Sequence, residues 1–223
     1  MFDRIAPRYD LLNRVLSAGI DRRWRRAAVD TLALPPGGRV LDVCTGTADL
    51  LLEAIRRGPG NRGIGVDLSV PMLARGRSKL HRVGAQARAG LGAGDAERLP
   101  LLSNVFDGAM VAFGIRNVGD PASALRELCR VLKPGGRLVV LEFSLPAGSF
   151  GRLYRLYFTH VLPRVGGLVS GDAPAYAYLP ASVQRFPSPA GFESMLAASG
   201  FIKVASRALS FGIARLYEGE KAA

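Results

Sequence analysis

VLDVCTGTADL, residues 40–50, is the stretch on which the reading of this chain turns. It begins as an apolar strand carrying an acid, Asp42, near its end, and passes through CTGT into a run with helical character. Strand, glycine turn and helix are the parts of a nucleotide-binding crevice, yet the only glycine in this turn is Gly46, and Thr45 and Ala48 stand where further glycines are expected. A pyrophosphate needs open backbone N–H groups at the helix start, and this turn serves it poorly. A ligand without phosphate, approached closely at Gly46, suits it better.

Working outward, the same alternation repeats. RVLDV (39–43), GIGVD (63–67), FDGAMVAF (106–113) and GRLVVLEF (136–143) are short apolar runs with little alternation, as expected of strands covered on both faces. Another strand falls within AQARAGLGAGD (85–95), placed by position because glycine and alanine dominate it. Between these runs, DLLLEAIRRG closes on a basic turn and Gly58, and SVPMLARGRSKLHRVG opens with Ser69 as N-cap and Pro71 just inside. DPASALRELCRVLKPGG sets Leu125, Leu128 and Leu132 on one face and stops at Lys133, Pro134 and Gly135. The pattern predicts an α/β fold, a doubly wound and mostly parallel sheet with helices on both faces. The final FIKVASRALSFGIARLYEGEKA reads as two strands turning near 209–212, an antiparallel hairpin that closes the sheet.

In such sheets ligands sit beyond the carboxyl ends of the strands. Asp42, Asp67 and Asp95 fall at or just after strand ends, and a carboxylate at Asp67 offers two acceptor oxygens for the two hydroxyls of a ribose. The 25 residues between Asp42 and Asp67 are near the spacing of a dinucleotide fold's ribose acid, which alone does not choose the cofactor. The loop serves a pyrophosphate poorly, whereas S-adenosylmethionine carries no phosphate and needs close backbone approach mainly at Gly46.

With 223 residues, 48% of them hydrophobic, the chain can bury the core of one α/β domain. Thirty Lys and Arg against eighteen Asp and Glu give +12, compatible with nucleic acid, an anionic membrane surface or a solvated basic exterior. The arginines are spread, as in DRRWRR (21–26) and RGRSKLHR (75–82), and solvated helix faces are the favoured reading. Cys44 and Cys129 make neither a disulfide framework nor a metal-ligand spacing, so no metal is expected and a reducing cytoplasm fits. No stretch approaches 18 uninterrupted apolar residues and no export leader is expected.

Three long stretches carry a resemblance. MFDRIAPRYDLLNRVLSAGIDRRWRR (1–26), AFGIRNV (112–118) with RVLKPGGRLVVLEFS (130–144), and YAYLPASVQRFPSP (176–189) resemble the signatures of the demethylmenaquinone and ubiquinone-biosynthesis C-methyltransferases, over nearly the whole chain. The resemblance implies a Rossmann-like class I methyltransferase with a seven-stranded sheet whose last strand is antiparallel. It implies one domain: a helical cap (1–30), a cofactor-binding core (35–143), a substrate-covering insertion (144–190), and a closing helix and hairpin (191–223). It also implies S-adenosylmethionine as cofactor, with Gly46 and Thr47 in the loop, Asp67 on the ribose, and Asp95 and Ala96 beside the adenine. For Asp42, support of the loop through backbone N–H groups and a water-mediated contact with the cofactor's ammonium both stay open; Thr47 is also a candidate N-cap.

The implied reaction is C-methylation of a prenylated quinol, demethylmenaquinol first, with a ubiquinone precursor or another phenolic acceptor as alternatives. A phenol titrates near pH 10, so holding its anion near neutrality takes about 4 kcal/mol of electrostatic help. By the resemblance, Arg116, Asn117 and Tyr9 are the catalytic group: Arg116 stabilising the phenolate or polarising a water, Asn117 orienting, Tyr9 relaying a proton or touching the ring. The alternative for Arg116 is an anchor for a helix end or for Asp120. His160, and the stripe Tyr154, Tyr157, Phe158, Val161 and Leu162, read first as packing, the stripe secondly as a channel for a prenyl tail. A lipid substrate gives the basic charge a use at anionic headgroups. A nucleic-acid binder would need clustered Arg with stacking aromatics, or a base-methylation motif after the fourth strand where this chain reads AFGIRN, so no nucleic-acid partner is expected. Arg116 and the three acids argue against a noncatalytic module.

Overall fold

The computed structural model describes residues 19–146, 148–156 and 173–223. Seven strands form one sheet in the order β3-β2-β1-β4-β5-β7-β6: β1 (Arg39–Val43), β2 (Arg62–Asp67), β3 (Ala89–Ala93), β4 (Phe106–Ala112), β5 (Leu132–Phe143), β6 (Phe201–Leu209) and β7 (Ala214–Lys221). The first five are parallel, and β7 runs antiparallel to both β5 and β6, so the closing hairpin is as expected. Its turn is a 3-10 segment, Ser210–Gly212, with Ser210, Phe211 and Gly212 all at positive φ.

The described helices are α1 (Asp21–Leu32), α2 (Asp49–Arg57), α3 (Val70–Arg82), α4 (Pro121–Val131), α5 (Gly148–Leu156), α6 (Ala173–Arg185) and α7 (Pro189–Ala198). They cover both faces, which explains the unbroken apolar runs of the central strands. Successive residues of β5 serve opposite cores: Leu138 and Val140 pack with Leu125, Leu128 and Phe192, whereas Val139 and Leu141 pack with Trp24, Leu51 and Ile55. Ser69 caps α3 by accepting from the Met72 N–H, and Asp120 caps α4 by accepting from Ala122 and Ser123.

Two readings of the sequence are corrected. The helix expected to run to Lys133 ends at Val131, because Leu132 already pairs with Phe106; the Lys133–Gly136 turn is absorbed as an irregularity before regular pairing resumes at Gly108 and Arg137. The DRRWRR helix is not a merely solvated face. Asp21, Trp24, Ala28 and Leu32 recur at helical spacing on its buried side, and Arg25 turns inward to pair with Asp21 at 2.7 Å and Asp49 at 3.3 Å.

Chain order reverses between β1 and β4: β1 leads outward to β2 and β3, β4 to β5 and the hairpin. The crevice at their carboxyl ends is therefore where a ligand is expected.

Candidate active site

A cavity of about 350 Å³ opens at that switch point. Each parallel strand from β1 to β4 delivers residues to it: Cys44 and Gly46, then Asp67, Ser69 and Met72, then Asp95, Ala96 and Glu97, then Phe113, Asn117 and Val118. A recess of about 30 Å³ shares Cys44, Gly46, Ala112 and Phe113 with it and reaches down to Arg25, Asp42 and Thr47.

The loop after β1 owes its shape to three left-handed residues, Cys44 (φ 55°), Gly46 (φ 54°) and Ala48 (φ 66°), of which only Gly46 takes that conformation without steric cost. Two carboxylates hold it. Asp42, 1% exposed, accepts from the Thr45 hydroxyl (2.6 Å) and from the Leu51 N–H in the first turn of α2 (3.2 Å). Asp67 accepts from the Gly46 N–H on one oxygen and the Ser69 N–H on the other, both at 2.8 Å, which fixes the carboxylate and leaves a lone pair on each oxygen. Burial, more than anything else, raises the Asp42 pKa to about 7, with the Thr45 and Leu51 hydrogen bonds pulling the other way. Burial pushes the Cys44 thiol far up, helped by Asp67 and Asp42, so it lines the cavity as a neutral group. Gly114 packs against it so closely that an added Cβ there would clash with the Cys44 Cβ.

This arrangement decides the ligand class. The Gly46 N–H already faces Asp67, and Asp67, Asp95 and Glu97 line the cavity, so the crevice disfavours a pyrophosphate and favours a neutral or cationic ligand bearing hydroxyls. Of the residues expected at a cofactor, Gly46, Asp67, Asp95 and Ala96 line the cavity. Asp42 lies below it supporting the loop. Thr47 is buried, lines only the recess, and accepts from Lys79 Nζ at 2.8 Å; it is not the N-cap, a position Ala48 occupies without any side-chain cap.

At the other wall, the turn after β4 forms a 3-10 segment, Ile115–Asn117. Asn117 reaches the cavity, donating to the Phe113 carbonyl (3.3 Å) and accepting from the Tyr178 hydroxyl (3.1 Å). Arg116 does not line it. Its Nη1 donates to the Phe113 carbonyl (2.6 Å) and to Glu142 (2.5 Å), its Nε to Ser182 (3.4 Å), and its guanidinium lies 5.3 Å from the centre of the Phe143 ring. The expected cation is thus a paired one, and its partner is Glu142, not Asp120 or a helix end. Phe143, Phe113 and Trp24 form one aromatic cluster behind it. Tyr9, His160, Tyr157, Phe158, Val161 and Leu162 lie outside the described residues; Tyr154 sits in α5.

Glu142, Tyr178 and Ser182 are not among the residues the sequence points to. An acid inside the apolar run GRLVVLEF is a usable signal for the first; for the other two only the late signature points to α6 at all.

The fold and this crevice define an α/β methyltransferase architecture. A solved structure of a SAM-dependent methyltransferase from Aquifex aeolicus has the same fold, with TM-score 0.63 at 19% identity over 88% of each chain. The model of the ubiE/COQ5 methyltransferase family matches residues 1–221, and the chain belongs to that family. It is 50% identical over 222 residues to the demethylmenaquinone methyltransferase of Thermus thermophilus, covering 99% of this chain and 100% of that one. It is 53% identical to the ubiquinone/menaquinone biosynthesis C-methyltransferase UbiE of Syntrophotalea carbinolica, covering 98% and 92%.

Proposed function

We propose that this chain methylates a ring carbon of a prenylated quinol, demethylmenaquinol in the first place, using S-adenosylmethionine. The observation that carries the reading is the crevice at the β1–β4 switch point, where Asp67 holds the Gly46 N–H and Asp67, Asp95 and Glu97 face the cavity. When bound, S-adenosylmethionine supplies a methyl group on a positively charged sulfur. Gly46, Asp67, Asp95 and Ala96 hold it: Asp67 by its two free lone pairs on the ribose, Asp95 as acceptor for the adenine amino group, and buried Ala96 with Met72 and Val118 as the apolar slot for the ring. Asp42 acts from beneath, by holding the loop. The net acidity of this wall, from Asp67, Asp95 and Glu97, complements the cofactor's positive charge.

On the acceptor side, residues 112–118 present Asn117 at the cavity and Arg116 just behind it. Losing the hydroxyl proton puts charge on the adjacent ring carbon and makes it nucleophilic; that carbon would take the methyl group as the sulfonium becomes a neutral thioether, and its own proton would then pass to water, restoring aromaticity. Arg116 and Asn117 favour the oxyanion, and Tyr9 of the amino-terminal signature completes the group. A guanidinium presents only donors and no acceptor, so in this reading Arg116 stabilises charge and does not take the proton. α6, which falls in the expected substrate-covering insertion, meets the catalytic turn through Tyr178 and Ser182.

The relatives' names divide between menaquinone alone and ubiquinone with menaquinone, so a ubiquinone precursor is the second reading. The test is transfer of labelled methyl to chemically reduced demethylmenaquinone in detergent, with the oxidised quinone as control. Labelling of the quinol alone supports the proposal; binding of S-adenosylmethionine without labelling removes the quinone assignment.

No described helix is long and apolar enough to cross a membrane. Peripheral contact from the cytoplasmic side is the proposed way to meet a lipid substrate. Arg22, Arg26, Arg56 and Arg82 line a cleft of about 440 Å³ between α1, α2 and α3 and give it a basic surface. Flotation with anionic but not zwitterionic vesicles is the expected result.

A further inference from the structure

We infer that Glu142 is a positioning residue for methyl transfer: it holds the Arg116 guanidinium from inside the sheet so that one nitrogen, Nη2, is left for the acceptor oxygen. This rests on the reading of Arg116 given above and adds a residue that does not line the cavity.

Glu142 is the penultimate residue of β5 and is wholly buried, on the face where Leu138 and Val140 make an apolar core. A carboxylate there is costly, and an apolar residue would serve the sheet's stability at least as well. What the carboxylate does instead is specific. Oε1 accepts from Arg116 Nη1 at 2.5 Å and from the Phe143 N–H at 2.8 Å, so the acceptor is itself fixed by the backbone. Phe113 takes the other Nη1 donor direction, Ser182 takes Nε, and the Phe143 ring lies against the guanidinium. With Nη1 and Nε engaged, Nη2 has no hydrogen-bond partner among the described residues. The guanidinium is rigid, so anchoring two of its nitrogens aims the third.

The surroundings keep this pair isolated. Glu142 Oε2 is buried without a hydrogen-bond partner among the described residues. Arg215, opposite Glu142 in the β5–β7 register, has a buried Nε in the same condition and spends its Nη1 on Ser206, which in turn donates to Glu193. Burial pushes the Glu142 carboxyl up and Arg116 pulls it back.

The experiment compares Glu142→Ala, Glu142→Gln, Arg116→Ala and the Arg116→Ala/Glu142→Ala double variant in the full chain, reading kcat with the reduced quinol and, by calorimetry, the Kd of S-adenosylmethionine. A misplaced catalytic group costs about 10²-fold in rate, so Glu142→Ala is expected to lower kcat by about that factor with Kd unchanged. Glu142→Gln keeps an acceptor at Oε1 and is expected to restore most of the rate. The double variant is expected to be no slower than Arg116→Ala alone, since a positioning residue has nothing left to act on. Should Glu142→Ala fail to fold, Glu142→Asp withdraws the acceptor by one carbon while keeping the charge, and the same loss of kcat is expected. Wild-type kcat in Glu142→Ala or Glu142→Asp beside an inactive Arg116→Ala, or additive losses in the double variant, would overturn the inference alone. An Arg116→Ala enzyme with wild-type kcat would overturn the reading of Arg116 as well.

Discussion

The loop after β1 and the turn after β4 form opposite walls of one crevice, and both are held by buried carboxylates, but from different distances along the chain. In the loop, Asp42 takes Thr45 and Leu51, 3 and 9 residues away, and Asp67 takes Gly46, 21 residues away. In the turn, Arg116 meets Glu142 at 26 residues and Ser182 at 66, and Asn117 meets Tyr178 at 61. The loop is built largely within one strand–turn–helix–strand unit and needs little beyond it. The turn is held in place only once β5 and α6 have docked. On the proposed reading the cofactor wall is therefore a local product of the fold and the acceptor wall a tertiary one, so changes at the first should show in binding and changes at the second in turnover.

The largest effect expected from this contrast is at Arg116. Arg116→Ala should lower kcat by up to about 10³-fold, the loss typical of one oxyanion-stabilising donor, while calorimetry finds S-adenosylmethionine binding as before. A matching loss of cofactor affinity would mean the two walls are not separable.

Next comes the pH dependence set by Asp42. Its folded pKa, about 7, lies above the ordinary 3.8, so between roughly pH 4 and pH 7 the folded chain keeps a proton that the unfolded chain releases. Stability from this group is complete below that window and falls as pH rises through it, by about 4 kcal/mol at most. Arg25 and Asp67 are the charged groups acting on it, in opposite senses. Asp42→Asn should flatten this fall in urea titrations run from pH 4 to pH 7.5; an unchanged slope would remove Asp42 as its source.

At Asp67 the expected signature is the mirror image of Arg116. Asp67→Ala removes the proposed acceptor for the ribose and strands the Gly46 N–H, and should weaken S-adenosylmethionine binding by about 10²-fold, at about 1.5–3 kcal/mol per bond to a charged group. With saturating cofactor, kcat should recover.

The smallest effect is at Ala48, whose left-handed conformation costs about 1–2 kcal/mol and whose buried methyl returns nearly as much. Ala48→Gly should leave the Tm within a few degrees of wild type, a balance that differential scanning calorimetry can check.

Much of the cofactor wall is legible in the amino-acid sequence alone. Asp67, Asp95, Ala96 and Gly46 reach the cavity as expected, because a strand's end, the turn after it and the acid at its tip are neighbours in sequence as well as in space. Thr47 is less legible: its place in the loop suggests a cofactor contact or a cap, whereas it lines the recess and its hydroxyl meets Lys79, 32 residues away on α3. The partner of Arg116 is not legible: the sequence offers Asp120 nearby, whereas Glu142 lies 26 residues away on the next strand.

Periodicity, caps and turn chemistry act over a few residues, and they suffice to specify the alternation of strands and helices, the hairpin at the end, the family signatures and the acids at the strand tips. The division of labour among the carboxylates needs the folded sheet: Asp42 beneath the loop, Asp67 across it, Glu142 behind Arg116. A buried charge is tolerable only where a partner and donors converge on it, and for Glu142 that partner is Arg116, 26 residues away, which it meets only when β4 and β5 have paired.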